Sequence, residues 1–197
     1  MTIAFAALAA YLYGAVPYAY GAVYLFKGKR LTSEGTGNVG VTNAFKVGGT
    51  WAGVVTVLGE ISKAALPIFM ARRFFAGDLH LTLLFTFLAL VGTSFSVFLR
   101  GKGGKGSTLA GYSLLFLSPY SFLIVIVLWA PFFFLSRGNP RIKKIPLLFV
   151  PFAIYGVERD WLFAFVGLLT AGLFYLNSYR RKDDYAHYHI FRQKAGA

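Results

Sequence analysis

Apolar runs of membrane-spanning length, joined by short basic links, constrain this chain more than any other feature. Residues 2–26, 50–70, 79–99 and 161–179 each supply the roughly 20 predominantly apolar residues that a spanning helix needs. Residues 107–136 carry no charge. At about 1.5 Å per residue that run is too long for one upright helix, and Ser118-Pro119 divides it into a short helix and a full one. A further, shorter apolar segment covers 145–157. Charged residues make up 14% of the chain, against about 25% in soluble domains, so lipid is the expected solvent for much of its surface. The chain is expected to fold as an all-α, polytopic transmembrane helical bundle of about seven spans.

Basic residues set the expected orientation, because they concentrate on the cytoplasmic side of a membrane. Seven spans with the N-terminus outside place most of the 20 Lys and Arg residues inside, including Lys27, Lys29, Arg30, Arg100, Lys102, Lys105, Arg137, Lys143, Arg181 and Arg192. Only Arg72, Arg73 and Arg159 fall outside. Counting 107–136 as one span would reverse the later links and erase that asymmetry. The chain is therefore expected N-out and C-in, with residues 1–180 as the membrane domain and 181–197 as a basic cytoplasmic tail. The uncharged stretch to Phe26 lacks the basic start of a signal peptide and is expected to remain as the first span. The net charge of +13 lies between apolar runs rather than in a basic domain, which argues for topology and anion binding rather than nucleic acid. There is no cysteine, hence no disulfide or thiolate chemistry.

Two of the expected inside links are rich in glycine. The first runs Glu34-Gly-Thr-Gly-Asn-Val-Gly-Val-Thr-Asn-Ala-Phe-Lys46. Its amides (Asn38, Asn43), hydroxyls (Thr36, Thr42) and cation (Lys46), set between Gly35, Gly37 and Gly40, suit convergence on an anion. The second runs Arg100-Gly-Lys-Gly-Gly-Lys-Gly-Ser-Thr108. Lys102 and Lys105 supply point charges around Gly103 and Gly104, and a helix starting near Ser107 adds positive potential. Gly106 is followed directly by Ser107, without the Gly-Lys-Ser/Thr order of a P-loop ATPase. Glu60 and Lys63 lie three apart inside a span, on one helix face, where each charge costs about 2.5–3.5 kcal/mol on insertion scales unless it faces protein. Asn177 and Arg180, again three apart, close the last span. His80 is expected outside, and His187 and His189 do not share a helix face. No cofactor, carboxylate-rich metal site or histidine triad is expected near the glycine loops, unless the tail folds back. Catalysis there would rest on positioning and electrostatic stabilisation.

These motifs resemble the acyl-phosphate-dependent glycerol-3-phosphate acyltransferases of bacteria, the PlsY family. Gly14-Ala15-Val16-Pro17 and the segment Gly35 to Lys46 match the family's first motif at its spacing. Glu60, Lys63 and Ala64 match an Asp-x-x-Lys-Gly element, Lys102 to Gly106 match Lys-Gly-Gly-Lys-Gly without a gap, and Asn177 and Arg180 match a late Asn-x-x-Arg. The resemblance spans nearly the whole chain. Thr36 stands for the family serine, Lys46 for its arginine and Glu60 for its aspartate, which keeps hydroxyl, cation and carboxylate. A Gly-His pair reads Gly92-Thr93, a late histidine reads Phe174, an arginine before the first motif reads Thr32, and a Gly-x-Glu after Asn-x-x-Arg is missing.

The resemblance implies a multi-pass protein of a bacterial-type inner membrane. It would move a fatty acyl group from acyl phosphate to glycerol 3-phosphate or a related polyol phosphate, making lysophosphatidate for phospholipid synthesis. In that scheme Lys102 and Lys105, with the Gly103 and Gly104 backbone and Ser107, hold one phosphate. Lys46, Asn177 and Arg180 hold the other. Thr36, Asn38 and Asn43 orient the carbonyl and the hydroxyl, Thr36 and Asn38 being catalytic together with Lys105, and Gly35, Gly37 and Thr42 bind substrate beside Asn43. A non-catalytic or transport protein for phosphorylated lipids or metabolites is the alternative, and a purely structural membrane protein is the third. The sequence fixes no oligomeric state. An N-out, C-in chain predicts that a cysteine introduced by Arg73→Cys is labelled by an impermeant maleimide on intact cells. One introduced by Lys102→Cys is labelled only after permeabilisation.

Overall fold

The computed structural model describes residues 2–136, 139 and 141–188. His189, Arg192, Lys194 and Arg137 lie outside the described residues. Helix is the regular structure of the described chain: α1 (Ile3–Ala15), α2 (Tyr18–Lys27), α3 (Val41–Phe74), α4 (Leu79–Ser94), α5 (Ser107–Leu117), α6 (Pro119–Leu135), α7 (Val150–Glu158), α8 (Trp161–Arg180) and the single turn α9 (Asp184–His187). Short 3-10 turns occupy Leu31–Ser33, Val97–Leu99 and Ile142–Leu148. Four helical segments are long and apolar enough to cross a membrane, namely Ile3–Lys27, Val41–Phe74, Leu79–Leu99 and Trp161–His187. Ser107–Leu117 and Pro119–Leu135 are apolar but shorter.

Helix breaks fall where the backbone chemistry demands them. The break expected at Ser118-Pro119 is present, and the Ser118 hydroxyl caps α6 by accepting from Ser121 N. The first apolar run is two helices rather than one, because Pro17 has no N–H to continue the ladder. Residues 145–157 are likewise not one helix. A 3-10 stretch containing Pro146 passes into α7, with Pro151 in its first turn. The 34-residue α3 begins well before residue 50 and is kinked at Gly49, whose φ of 81° is open to glycine. Its first turns contain Thr42, Asn43 and Lys46, so the end of the first glycine-rich segment is helix rather than loop.

Lipid sets the surface. Phe5, Leu25, Val127, Leu135 and Phe152 point outward from the bundle, an arrangement water would penalise and hydrocarbon does not. The interior uses small residues for close approach. In the α1–α4 crossing, Ala6, Ala10 and Ala89 are fully buried. A Cβ on Gly14 would lie 2.1 Å from Ala89 O, and one on Gly92 would lie 2.2 Å from Tyr11 O. Helix α2 packs on α3, α7 on α8, and α5 on both α3 and α6. Gly92→Ala is expected to force the α1–α4 backbones apart at a cost of about 1–3 kcal/mol, read as a lower melting temperature of the detergent-purified protein.

Candidate active site

The first glycine-rich segment is held by one amide. Asn43, fully buried in the first turn of α3, donates from Nδ2 to Glu34 O (3.1 Å) and Asn38 O (3.0 Å). Its Oδ1 accepts from Thr36 N (3.2 Å) and from the Tyr188 hydroxyl. The loop closes this tightly because Gly35 has a φ of 57°, and a Cβ there would sit 2.3 Å from Asn43 Oδ1. Asn43 was expected to face substrate. Its amide is instead fully engaged in shaping the loop.

The second glycine-rich segment lies against the first. A Cβ on Gly104 would fall 2.4 Å from Val39 O, and one on Gly103 would fall 2.0 Å from Thr93 O. Gly104 N–H donates to Thr93 O at 2.8 Å, so this expected anion donor is already engaged. Thr93 stands where the family pattern has histidine. Its hydroxyl donates to Gly14 O (2.8 Å) and accepts from Lys63 Nζ (3.4 Å). Lys63 in turn pairs with Glu60 at 2.8 Å, both buried. The intramembrane charges therefore face protein and brace the glycine loop through Thr93.

A carboxylate from the C-terminal segment joins the two loops. Asp184 Oδ1 accepts from Thr36 Oγ1 at 2.5 Å, and Oδ2 accepts from Asn38 Nδ2 at 2.9 Å. Lys105 Nζ stands 3.8 Å from the same Oδ2. Residues 181–188, the start of the expected basic tail, fold back into the site. Asp183 caps α9 by accepting from Ala186 N (2.9 Å) and pairs with Lys143 (3.0 Å). Tyr188 reaches Asn43, and the Tyr185 hydroxyl is hydrogen-bonded to the Thr42 side chain. The sequence did carry a signal for this. The adjacent acids Asp183 and Asp184 are two of only 7 in the chain and sit in its most basic stretch.

Asn177, fully buried, donates to Ser94 Oγ (3.0 Å) and Lys105 O (3.5 Å), so α8 holds the base of the second loop. Arg180 lies over the Phe95 ring at 4.7 Å. The oxygens Asn38 Oδ1 and Asn177 Oδ1 are buried and have no hydrogen-bond partner among the described residues. Burial pushes the Lys105 ammonium below the ordinary lysine pKa, and Asp184 pulls it partly back. Lys46 is exposed, with Nζ 5.8 Å from the Tyr188 ring centre, and Lys102 is exposed on its loop. Neither is drawn in beside Asp184.

Lys105 and Ser107 also line a cavity of about 380 Å³ between α4, α5, α6, α7 and α8. Leu90, Leu109, Trp129, Phe163 and Phe174 make its wall apolar. The fold and the site define an integral membrane protein whose buried polar site opens on an apolar cavity.

Residues 4–187 match the glycerol-3-phosphate acyltransferase family. The glycerol-3-phosphate acyltransferase of Bacillus subtilis is 32% identical over 179 residues, 89% of this chain and 90% of that one. That of Syntrophomonas wolfei is 29% identical over 167 residues, 83% of each chain. The crystal structure of PlsY (YgiH), an integral membrane glycerol 3-phosphate acyltransferase, in its glycerol 3-phosphate form, superposes with a TM-score of 0.78 at 23% identity, covering 91% of this chain and 90% of that one. Its lysophosphatidic acid form gives 0.74 at 21% identity, covering 98% and 100%. The chain belongs to the glycerol-3-phosphate acyltransferase family. Membership supports a membrane acyltransferase over the passive binding or transport protein.

The Lys105 shift gives a pH dependence. A lowered lysine pKa means the charge that attracts an anion is lost as pH rises, sooner than for an exposed lysine. Inorganic phosphate, as a probe of the anion site at Lys105, should therefore protect the protein from heat less as pH climbs into a range still below the ordinary lysine value. Lys105→Arg should carry that protection to higher pH, as read by melting temperature with and without ligand.

Proposed function

We propose that this chain transfers a fatty acyl group from acyl phosphate to the 1-hydroxyl of glycerol 3-phosphate, giving lysophosphatidate and inorganic phosphate. One observation carries the proposal. Lys105 stands both at the polar cluster of Thr36, Asn38 and Asp184 and on the wall of the apolar cavity. An acyl phosphate has the same two-part character, with an anionic head joined to an apolar chain. The chain would gain about 0.8 kcal/mol per buried methylene in the cavity, and Lys105 would hold the phosphoryl oxygens.

In the transfer, the hydroxyl oxygen forms a bond to the acyl carbon. The bond from that carbon to the phosphate oxygen breaks, and the departing phosphate takes the hydroxyl proton. Thr36 and Asn38 orient carbonyl and hydroxyl. The unpartnered acceptors Asn38 Oδ1 and Asn177 Oδ1 suit the hydroxyls of a polyol phosphate, because a buried acceptor without a donor is costly. Asn177 and Arg180 close the acceptor end, with Lys46 and Lys102 as outlying cations. Gly35, Gly37, Gly103, Gly104, Thr42 and Asn43 keep the two loops in register, and Ser107 marks the cavity mouth. The proposed setting is a bacterial cytoplasmic membrane. There, α1 with α2, then α3, α4, α5, α6, the 3-10 stretch Ile142–Leu148 with α7, and α8 form seven crossings, N-out and C-in. The working unit runs on to Tyr188.

Purified protein supplied with palmitoyl phosphate and glycerol 3-phosphate should form lysophosphatidate. Lys105→Ala should lower that rate by about a hundredfold or more, as for loss of a preorganised charge at a reacting group. Wild-type turnover in Lys105→Ala would remove the loop from the mechanism.

A further inference from the structure

The cavity has a polar end and a closed end. Lys105, Ser107 and Lys143 stand at the first. At the other, Leu83 on α4, Ile154 on α7 and Phe163 on α8 are 1%, 3% and 4% exposed and pack as one cluster, with Leu114 and Leu117 of α5 against them. The three also line the cavity. They belong to the far end of the bundle. Phe163 lies fourteen residues along α8 from Asn177, which binds Lys105 O, and Leu83 lies eleven along α4 from Ser94, which binds Asn177.

Two helices measure the depth alike. Ser107 and Leu117 both line the cavity and lie ten residues apart on α5, and Phe174 and Phe163 do so eleven apart on α8. At about 1.5 Å rise per residue these separations are about 15 and 16 Å. Carbon–carbon bonds of about 1.5 Å in a staggered chain advance about 1.25 Å per carbon, so a straight chain of about twelve carbons reaches the closed end. A longer one would have to part a close-packed cluster, and overpacking costs more than one further methylene gains.

Partway down, α5 presents Gly111 to the same space. It follows Ser107 by four residues and precedes Leu114 by three, so a side chain there would share their face. A Cβ on Gly111 would meet nothing within 4 Å, whereas at Gly14 and Gly92 it would strike backbone. Helix packing therefore does not require this glycine, and its missing side chain leaves the cavity clear.

We infer that Leu83, Ile154 and Phe163 form a floor that sets the length of acyl chain this cavity rewards, and that Gly111 keeps the way to it open. The inference rests on the cavity holding the acyl chain, as proposed above, and adds which chains it favours.

The test titrates the detergent-purified protein with straight, saturated acyl phosphates from octanoyl to octadecanoyl, and measures lysophosphatidate formation from each. Affinity should rise about fourfold per added carbon, then level off near dodecanoyl. Gly111→Leu should bring that plateau to a shorter chain. This variant should fold, because leucine enters open space and favours helix more than glycine does, and its melting temperature checks this. Phe163→Ala should move the plateau to a longer chain. Gly172→Leu is the control, since Gly172 is exposed on α8 and its Cβ would also meet nothing within 4 Å. It should keep the wild-type plateau. Affinity that goes on rising to octadecanoyl in the wild type overturns the inference, as does a wild-type plateau in Gly111→Leu. Equal binding and equally efficient turnover of every chain would sink the floor and leave the catalytic proposal standing. A plateau in binding without turnover would do the reverse.

Discussion

The Asp184 carboxylate holds this site together. It accepts from Thr36 and Asn38 in the first glycine-rich segment and faces Lys105 in the second. The three groups come from remote parts of the chain, with Thr36 and Asp184 148 residues apart. Hydrogen bonds to a charged group contribute about 1.5–3 kcal/mol each, and burial strengthens them by excluding water. That is enough to order two loops that glycine leaves conformationally open. Without the carboxylate, Thr36 and Asn38 would lose the acceptor they share and the partly buried Lys105 would lose the counter-charge that faces it.

A second chain of polar contacts braces the same loops from within the membrane. Glu60 and Lys63 form a buried pair, Lys63 reaches Thr93, and Thr93 receives the Gly104 N–H through its carbonyl. Charges at this depth survive because each has a partner. The threonine that departs from the family's histidine is thus a junction rather than a gap. It ties α1, α3, α4 and the second loop through Gly14, Lys63 and Gly104.

The membrane character of the chain and much of its segmentation were legible in the sequence, because hydrophobic length is a local property. The break at Ser118-Pro119 could be read for the same reason, since proline acts on its own turn. Less visible was where the loops ended. The start of α3 takes in Thr42 to Lys46, so Asn43 stands on a helix, where its side chain anchors its own loop. Glycine spacing announced an anion site but could not say which N–H groups were already engaged, and Gly104 is one that is. Asp184 and Tyr188 were missed because the basic tail looked like a topological anchor. Their roles depend on a fold-back, for which the adjacent acids Asp183 and Asp184 were a local sign that named no partner.

That fold-back bears on how the protein matures. Residues that complete the site are among the last of the described chain to be synthesised, while the loops they fasten emerge early. Membrane insertion of the helices can proceed as the ribosome advances, yet the two glycine loops stay unfastened until Asp184 has been made. A chain stalled after α8 would sit in the bilayer with its spans in place and its pocket unassembled. The carboxylate link between the two loops therefore forms only once residue 184 has been made.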